Sequence, residues 1–465
     1  MNRGMPLLFA LAATLAGCSV GTRYRRPDLP TPQAWRAHID APSDAQSATW
    51  PSEDWWKGFG SARLDELIDA ARHANDDIGA AVARVRGADA QARIAGAALW
   101  PSVDLTAAAT RERSQPAGTG APRTLSQFSP QIGASYELDF WGRNRSLHAA
   151  AEATANASRF DRETIELTVM TSVATTYFQA LEFRERLNVA RENLATAQQV
   201  LDGLHLEEQV GTVNALDVAQ QETVVATLNA ALPPLEEQLT RTVDALAILV
   251  GQPPENVDLA TGTLADLGEP QVQQGLPSEL LSRRPDVAEA ESQLVAANAN
   301  VNAARAALFP QISLTGAGGY ASSALSSLVT PGSRVFSLTA GLTQPLFAGG
   351  ALTGQVALNR ARYDELLADY HKAVLSAFGN VEDSLTGVRQ TAEQQRRQEQ
   401  AVAQARRAYE YAQAQMRAGT VNVLTVLNTE GALFSAQDAL VQVRFSHFEA
   451  LVSLYNALGG GWQQS

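Results

Sequence analysis

Two blocks of this sequence each occur twice, in the same order, and that duplication limits the fold more than any other feature. Gln209-Val210-Gly211-Thr212-Val213-Asn214-Ala215-Leu216 returns as Arg417-Ala418-Gly419-Thr420-Val421-Asn422-Val423-Leu424. Ala97-Ala98-Leu99-Trp100-Pro101-Ser102-Val103-Asp104-Leu105-Thr106 returns as Ala306-Ala307-Leu308-Phe309-Pro310-Gln311-Ile312-Ser313-Leu314-Thr315. Matched blocks at a nearly constant offset of about 208 residues mark a tandem duplication of one large unit. Each unit reads helix, strand, loop, strand, long helix, turn, long helix. The 465-residue chain is therefore one architecture of two similar halves, although length alone suggests two or three domains.

The long helices carry a heptad signal. From about Leu352 to the turn at 417–422, Val374, Phe378, Val381, Leu385 and Val388 fall at alternating steps of four and three. The returning limb places Leu424, Leu427, Gly431, Phe434, Asp438, Val441, Phe445, Phe448, Val452 and Tyr455 on the same kind of seam. Such spacing packs helices side by side over long distances. A limb of ~65 residues reaches roughly 100 Å. One such hairpin alone is also compatible with an isolated coiled coil; two copies, each with strands, are not. In the first copy the long limb spans 144–210 and the shorter one 213–250, with a further helix at 78–99. Pro233-Pro234 should kink or interrupt the shorter limb.

Between the helices lie alternating stretches. Ile132, Ala134, Tyr136, Leu138 and Phe140 share one face, with Gln131, Gly133, Ser135, Glu137 and Asp139 on the other. The later copy sets Ile312, Leu314 and Tyr320, then Phe336, Leu338, Ala340 and Leu342, against Ser337, Thr339 and Thr343. Alternation over about ten residues suits a transmembrane β-strand, and equally a soluble antiparallel sheet with one wet face. Strands are expected at about 101–111, 129–141, 310–321 and 334–346, joined by Gly-, Ser- and Pro-rich loops. Membrane barrels need about eight strands or more. Four strands cannot close, so several chains must share one barrel.

The first residues read as an export signal: Arg3, an apolar run from Leu7 to Leu15, then Leu15-Ala16-Gly17-Cys18. The run is too short for a stable spanning helix. Cys18 is the only cysteine, which excludes an internal disulfide. The segments expected are a signal peptide at 1–17, an extended Pro- and Trp-rich stretch at 18–61, a first repeat at 62–250, a linker at 251–277, a second repeat at 278–460 and a tail at 461–465. Trp35, Trp50, Trp55 and Trp56 suit burial of that stretch against a neighbour. A formal charge of −13 argues against nucleic acid as a partner.

Together these residues resemble the outer-membrane factors of the TolC/OprM type, in the NodT-like lipoprotein branch. The resemblance rests on Leu15-Ala16-Gly17-Cys18, which resembles a bacterial lipobox, the doubled Gly-Thr turns, Tyr136-Glu137-Leu138-Asp139-Phe140-Trp141-Gly142-Arg143 with its counterpart Gln344-Pro345-Leu346-Phe347-Ala348-Gly349-Gly350, and Leu276-Pro277-Ser278-Glu279-Leu280-Leu281-Ser282-Arg283-Arg284-Pro285-Asp286. It implies a mixed α and β membrane protein: a homotrimer pooling four strands per chain into a β-barrel of about twelve, above a long α-helical barrel in the periplasm. It implies a lipid on Cys18, with Ser19 favouring the outer membrane, and no other cofactor. It also implies a passive exit duct of a tripartite pump, reached through a periplasmic adaptor (membrane fusion protein) from an inner-membrane transporter of the resistance-nodulation-division type. Gly211, Thr212, Gly419 and Thr420 would be the adaptor-facing tips. Gly suits a left-handed turn there, and Thr can cap the helix that follows; plain turns would use the same residues. Leu424 matches an apolar constriction of the family. Asn428 stands where relatives often carry aspartate, and Gly431 where some carry arginine. Asp217 and Glu430, within two turns of the tips, are candidates for acidic gate rings.

No catalytic constellation is expected. The six histidines are scattered without metal-ligand spacing, and no phosphate loop or nucleophile elbow occurs. Protein export through a type I duct and a structural coiled-coil lipoprotein are the alternatives; the second would need neither alternating strands nor a duplicated unit.

Overall fold

The structure, a computed structural model, describes residues 20–36, 50–115, 122–259, 262–270, 272 and 277–463. The export signal, Cys18 and Leu276 lie outside them. The first repeat runs α1 (Ala62–Ala74), α2 (Asp76–Ala97), β1 (Ser102–Ser114), β2 (Arg123–Leu138), α3 (Arg143–Gln209) and α4 (Ala215–Leu249). After a single turn, α5 (Pro277–Leu280), the second runs α6 (Pro285–Ala306), β3 (Gln311–Tyr320), β4 (Arg334–Thr343), α7 (Ala351–Arg417) and α8 (Val423–Ala457). The halves match in size: α3 and α7 have 67 residues each, α4 and α8 35, and α2 and α6 22.

The chain divides into two compact units, each drawing on both repeats. One holds the strands with Arg84–Arg159 and Glu289–His371. Its sheet is antiparallel, in the order β1-β2-β3-β4. The register aligns like with like. Val103 and Leu105 pair with Ala134 and Ile132, Tyr136 and Leu138 with Leu314 and Ile312, and Ile312, Leu314 and Gly318 with Leu342, Ala340 and Phe336. Directly opposed residues share a face, so these side chains build one continuous apolar surface. Thr106, Gln131 and Ser135, then Ser313, Thr315, Thr339 and Ser337, build the polar one. In the single chain the apolar face is bare, with Phe336 91% exposed.

At the foot of β2 the chain turns sharply. Gly142 takes a φ of 81°, and the Asp139 carboxylate accepts the backbone N–H groups of Asn144 and Arg145 at 3.0 and 2.8 Å. Those donors are free at a helix start, so Asp139 fixes where α3 begins. Trp141 stacks on Phe309 at 4.8 Å and donates its indole N–H to the Pro310 carbonyl at 2.8 Å, joining the β2–α3 corner of the first repeat to the α6–β3 corner of the second. In the same unit the N-terminal stretch is strapped to α6: Thr22 and Asn302 exchange bonds of 3.1 and 3.0 Å, while Tyr24 and Arg26 hold Glu291.

The second unit contains the rest of the long helices and 29–83. Its core is aromatic: Phe59 meets Phe178 at 5.0 Å, Phe178 meets Phe448 at 5.3 Å, and Trp55 stacks on Tyr455 at 4.9 Å. The stretch at 18–61 is not extended throughout, because Trp55–Phe59 forms a tight helical turn. That turn puts Trp55, Trp56 and Phe59 into the core together, which an alternating strand could not do. Linker residues lie against α3, whose Arg184 donates to the Leu259 carbonyl at 3.3 Å and whose Glu185 accepts the Leu264 N–H at 3.1 Å.

Pro233-Pro234 lies within α4, which is continuous through it; the carbonyls of Asn229 and Ala230, which lose their N–H partners, sit on exposed residues where water can replace them. One expectation about the helices needs correction. The seam of α8 is offset near its start. Val423, Val426, Glu430 and Leu433 are buried, while Leu424 and Gly431 face outward. A carboxylate on the buried stripe hid the true register. Farther along, Phe434, Val441, Phe448, Val452 and Tyr455 are buried as the spacing requires, as are Val374, Phe378, Val381, Leu385 and Val388 on α7.

Candidate hairpin tips and channel sheet

Both tips are built in the same way. The Gly211 N–H bonds the Glu208 carbonyl at 2.9 Å and the Thr212 N–H bonds the Glu207 carbonyl at 2.9 Å; at the other tip Gly419 and Thr420 bond Met416 and Gln415 at 2.8 and 3.0 Å. This pair of bonds is a Schellman helix end, and it requires a left-handed residue. Gly211 and Gly419 supply it, with φ of 80° and 71°. All four tip residues are exposed.

The threonines do not cap the helices that follow. The Thr212 hydroxyl donates to the Glu207 carbonyl at 2.9 Å, and that of Thr420 to the Gln415 carbonyl at 3.0 Å. Each therefore closes the preceding helix, because its hydroxyl lies beside that helix's unpaired carbonyls. The N-caps are asparagines. Asn214 Oδ1 accepts from the Leu216 and Asp217 N–H groups at 2.9 and 3.1 Å, and Asp217 Oδ2 accepts the Asn214 N–H at 3.2 Å. Asn422 Oδ1 accepts from the Thr425 N–H at 3.2 Å. Sequence reasoning passed over both caps, although Asn-x-x-Asp ahead of an apolar run is a capping signature.

The remaining candidates separate by face. Leu424 (46% exposed) and Asn428 lie outward one turn apart on α8, with Gly431 on the same side. Asp217 is half-buried, and its carboxylate is committed to the capping box of α4. Glu430 does not belong to an open acidic ring: it is 0% exposed, enclosed by packed helices. Its Oε1 lies 3.5 Å from the Tyr409 hydroxyl on α7. Burial pushes its carboxyl up to about 7, against smaller opposing effects of Gln221 and Tyr409. Gln221 of α4 is itself fully buried and donates to the Ala197 carbonyl of α3 at 2.7 Å. No sequence signal pairs Gln221 with Glu430, which sit in different repeats. Below this cluster, Leu201, Leu204, Val218 and Val423 bury one another with Met416 and Leu427, so both hairpins share a core beside the tips.

Higher on the helices, Arg186 of α3 reaches Asp438 of α8 with two bonds of 2.7 and 3.2 Å and Glu182 with one of 3.3 Å. That pairing explains an aspartate on the heptad seam. Among the described residues no helix is long and apolar enough to cross a membrane, and no cluster of His, Cys, Asp and Glu could hold a metal ion. Cys18 lies outside those residues.

A sheet apolar on one face and polar on the other, in a chain that also holds duplicated helical hairpins, fits an outer-membrane channel of the efflux type. The chain belongs to the outer membrane efflux protein family, whose model matches residues 67–252 and 276–460, one match to each repeat. It is 40% identical over 463 residues to the pyoverdine export outer membrane protein OpmQ of Pseudomonas putida, covering 98% of this chain and 97% of that one. The probable efflux pump outer membrane protein TtgC of the same species is 32% identical over 478 residues, covering 100% of this chain and 97% of that protein. Among solved structures, the outer-membrane channel OprN superposes with a TM-score of 0.89 at 28% identity, over 96% of this chain and 100% of OprN. The protein is thus an exit duct for efflux, located in the outer membrane with a periplasmic helical domain.

Proposed function

We propose that this chain works as a homotrimer, lipidated at Cys18, and completes a tripartite pump with a periplasmic adaptor and an inner-membrane transporter. One observation carries the oligomer. The sheet has four strands in the order β1-β2-β3-β4, so β1 and β4 each keep an unpaired edge, and hydrocarbon tolerates only a closed barrel. Three copies joined edge to edge would close it, with the apolar face toward lipid and the polar face toward the lumen. The lumen is passive; energy comes from the transporter, and the chain performs no chemistry of its own. The exposed Gly211-Thr212 and Gly419-Thr420 tips are the adaptor contacts, and Leu424 and Asn428 line the periplasmic constriction.

The cargo is a small molecule. Similarity to two proteins named for pyoverdine export, at 40% and 41% identity, favours a pyoverdine-like metabolite over a toxic solvent or drug. The test of assembly is the mass of the detergent-extracted mature protein by light scattering, corrected for bound detergent. About three chains per particle are expected; a stable monomer would leave the open edges unexplained and overturn the proposal. For cargo, deletion of the gene should trap the metabolite inside cells, and an unchanged culture-medium profile would sink that assignment.

A further inference from the structure

Charge on the sheet is sorted by face. The register sets Arg111 and Arg113 of β1 opposite Ser126 and Thr124, and Arg334 of β4 opposite Tyr320. Arg111 follows Ala109 by two residues and Arg334 precedes Phe336 by two, so alternation puts all three arginines on the apolar face. The carboxylates of Asp104, Glu112 and Glu137 take the polar face, as does Arg123. No strand residue on the apolar face carries a carboxylate. The three arginines are exposed, and none forms an ion pair with the described residues.

Their height on the sheet is as specific as their face. On β1 and on β4 the first residue of that face beyond the apolar run is an arginine, and Phe128, Tyr320 and Phe336 lie at the same end of the sheet. Aromatic side chains mark the level where hydrocarbon gives way to headgroups, and a lipid-facing cation is tolerated there but not at the bilayer midplane. This end is the one away from the helices, because β1 follows α2 at Ser102 and β2 runs into α3 after Leu138. With the helical domain in the periplasm, the arginines meet the outer leaflet.

We propose that Arg111, Arg113 and Arg334 bind the phosphates of a phosphorylated glycolipid in the outer leaflet. Arg111 and Arg113 stand about 7 Å apart along one face of one strand, and each forked guanidinium can take two phosphate oxygens. β1 and β4 are the edges of the sheet. The placement rests on the trimer proposed above: where β4 of one copy joins β1 of the next, Arg334 and the Arg111–Arg113 pair flank the same seam. A headgroup with two phosphates then bridges the copies. A phospholipid, with a single phosphate, cannot engage both sides at once.

The experiment is native mass spectrometry of the mature protein in detergent, titrated with bis-phosphorylated lipid A, its mono-phosphorylated form and phosphatidylglycerol. Wild type should take up about three molecules of the bis-phosphorylated lipid per trimer, one at each symmetric seam. Arg334→Gln, or loss of one phosphate from the lipid, should weaken binding about tenfold, as expected for one charge-assisted contact. Replacing all three arginines by glutamine should abolish it, while Arg123→Gln on the polar face should leave it unchanged. Equal binding of phosphatidylglycerol, wild-type binding by the triple variant, or an equal loss in Arg123→Gln overturns the site. Should the variants fail to assemble, the two forms of lipid A on wild type decide alone: equal affinity refutes the bridge. The same spectra count chains. A trimer that takes up no lipid A overturns the site and leaves the oligomer standing; a monomer with arginine-dependent binding overturns the seam and the oligomer together.

Discussion

Replacing Gly419 by alanine separates backbone geometry from packing at the tips. Gly419 has a φ of 71°, and a Cβ added there would meet nothing within 4 Å. The penalty is then conformational alone, about 1–2 kcal/mol for an L-residue in the left-handed well. It falls on the Schellman end, whose bonds to Met416 and Gln415 span 2.8 and 3.0 Å. Local opening should become about 5- to 30-fold more frequent. Hydrogen exchange of peptides across 411–427, read by mass spectrometry on the detergent-solubilised protein, reports that constant. Gly203 provides the contrast. It lies inside α3 without a positive φ, and its added Cβ is equally free. Alanine there should slow exchange, by about 1 kcal/mol of helix propensity. Opposite signs from one substitution in two open positions are the signature expected. Unchanged or slower exchange in Gly419→Ala would show that the left-handed turn is not what holds the tip.

Other outcomes follow from the same geometry. Asn422→Ala should cost about 1 kcal/mol through loss of the cap on α8; Thr420→Val should cost less, because the backbone bonds of the turn remain, and a denaturation series ranks the two. Arg186→Met strips the partner from nearly buried Glu182, whose carboxyl burial already pushes up. Because Asp438 is 38% exposed, the loss should be roughly 2–3 kcal/mol, below the full cost of breaking a buried pair. It should be larger at pH 8 than at pH 5, since a raised carboxyl favours the folded state at low pH; equal losses at both values would refute the pairing. Trp55→Ala removes a ring stacked at 4.9 Å on Tyr455 and should destabilise the protein by about 3–5 kcal/mol in thermal unfolding.

The parts of this fold legible in sequence were those where solvent alternates regularly. Strand faces follow a period of two because one side is apolar, and Ile132, Tyr136 and Leu314 reveal it directly. The seam of α7 was equally plain, since Val374 through Val388 are all apolar. On α8 the pattern misled, because a buried Glu430 interrupts the stripe and exposed Leu424 imitates it. The tips were located by their glycines, while the capping roles of Asn214 and Asn422 were assigned to threonines that instead bond backward. The Gln221–Glu430 contact had no local signal, because two residues far apart in sequence meet only once both repeats have packed.

The bare edges of β1 and β4 also bear on how a newly made chain survives. Until neighbours arrive, each copy presents two rows of unsatisfied amides beside an apolar sheet, the arrangement that invites runaway strand addition. Closure needs encounters between copies, so its speed depends on their concentration, whereas misjoining to any other exposed strand needs no correct partner. A slow supply of chains therefore lengthens the dangerous interval, and a crowded one favours disordered joining. The window for productive biogenesis is bounded on both sides, and an escort that covers either edge during transit would widen it.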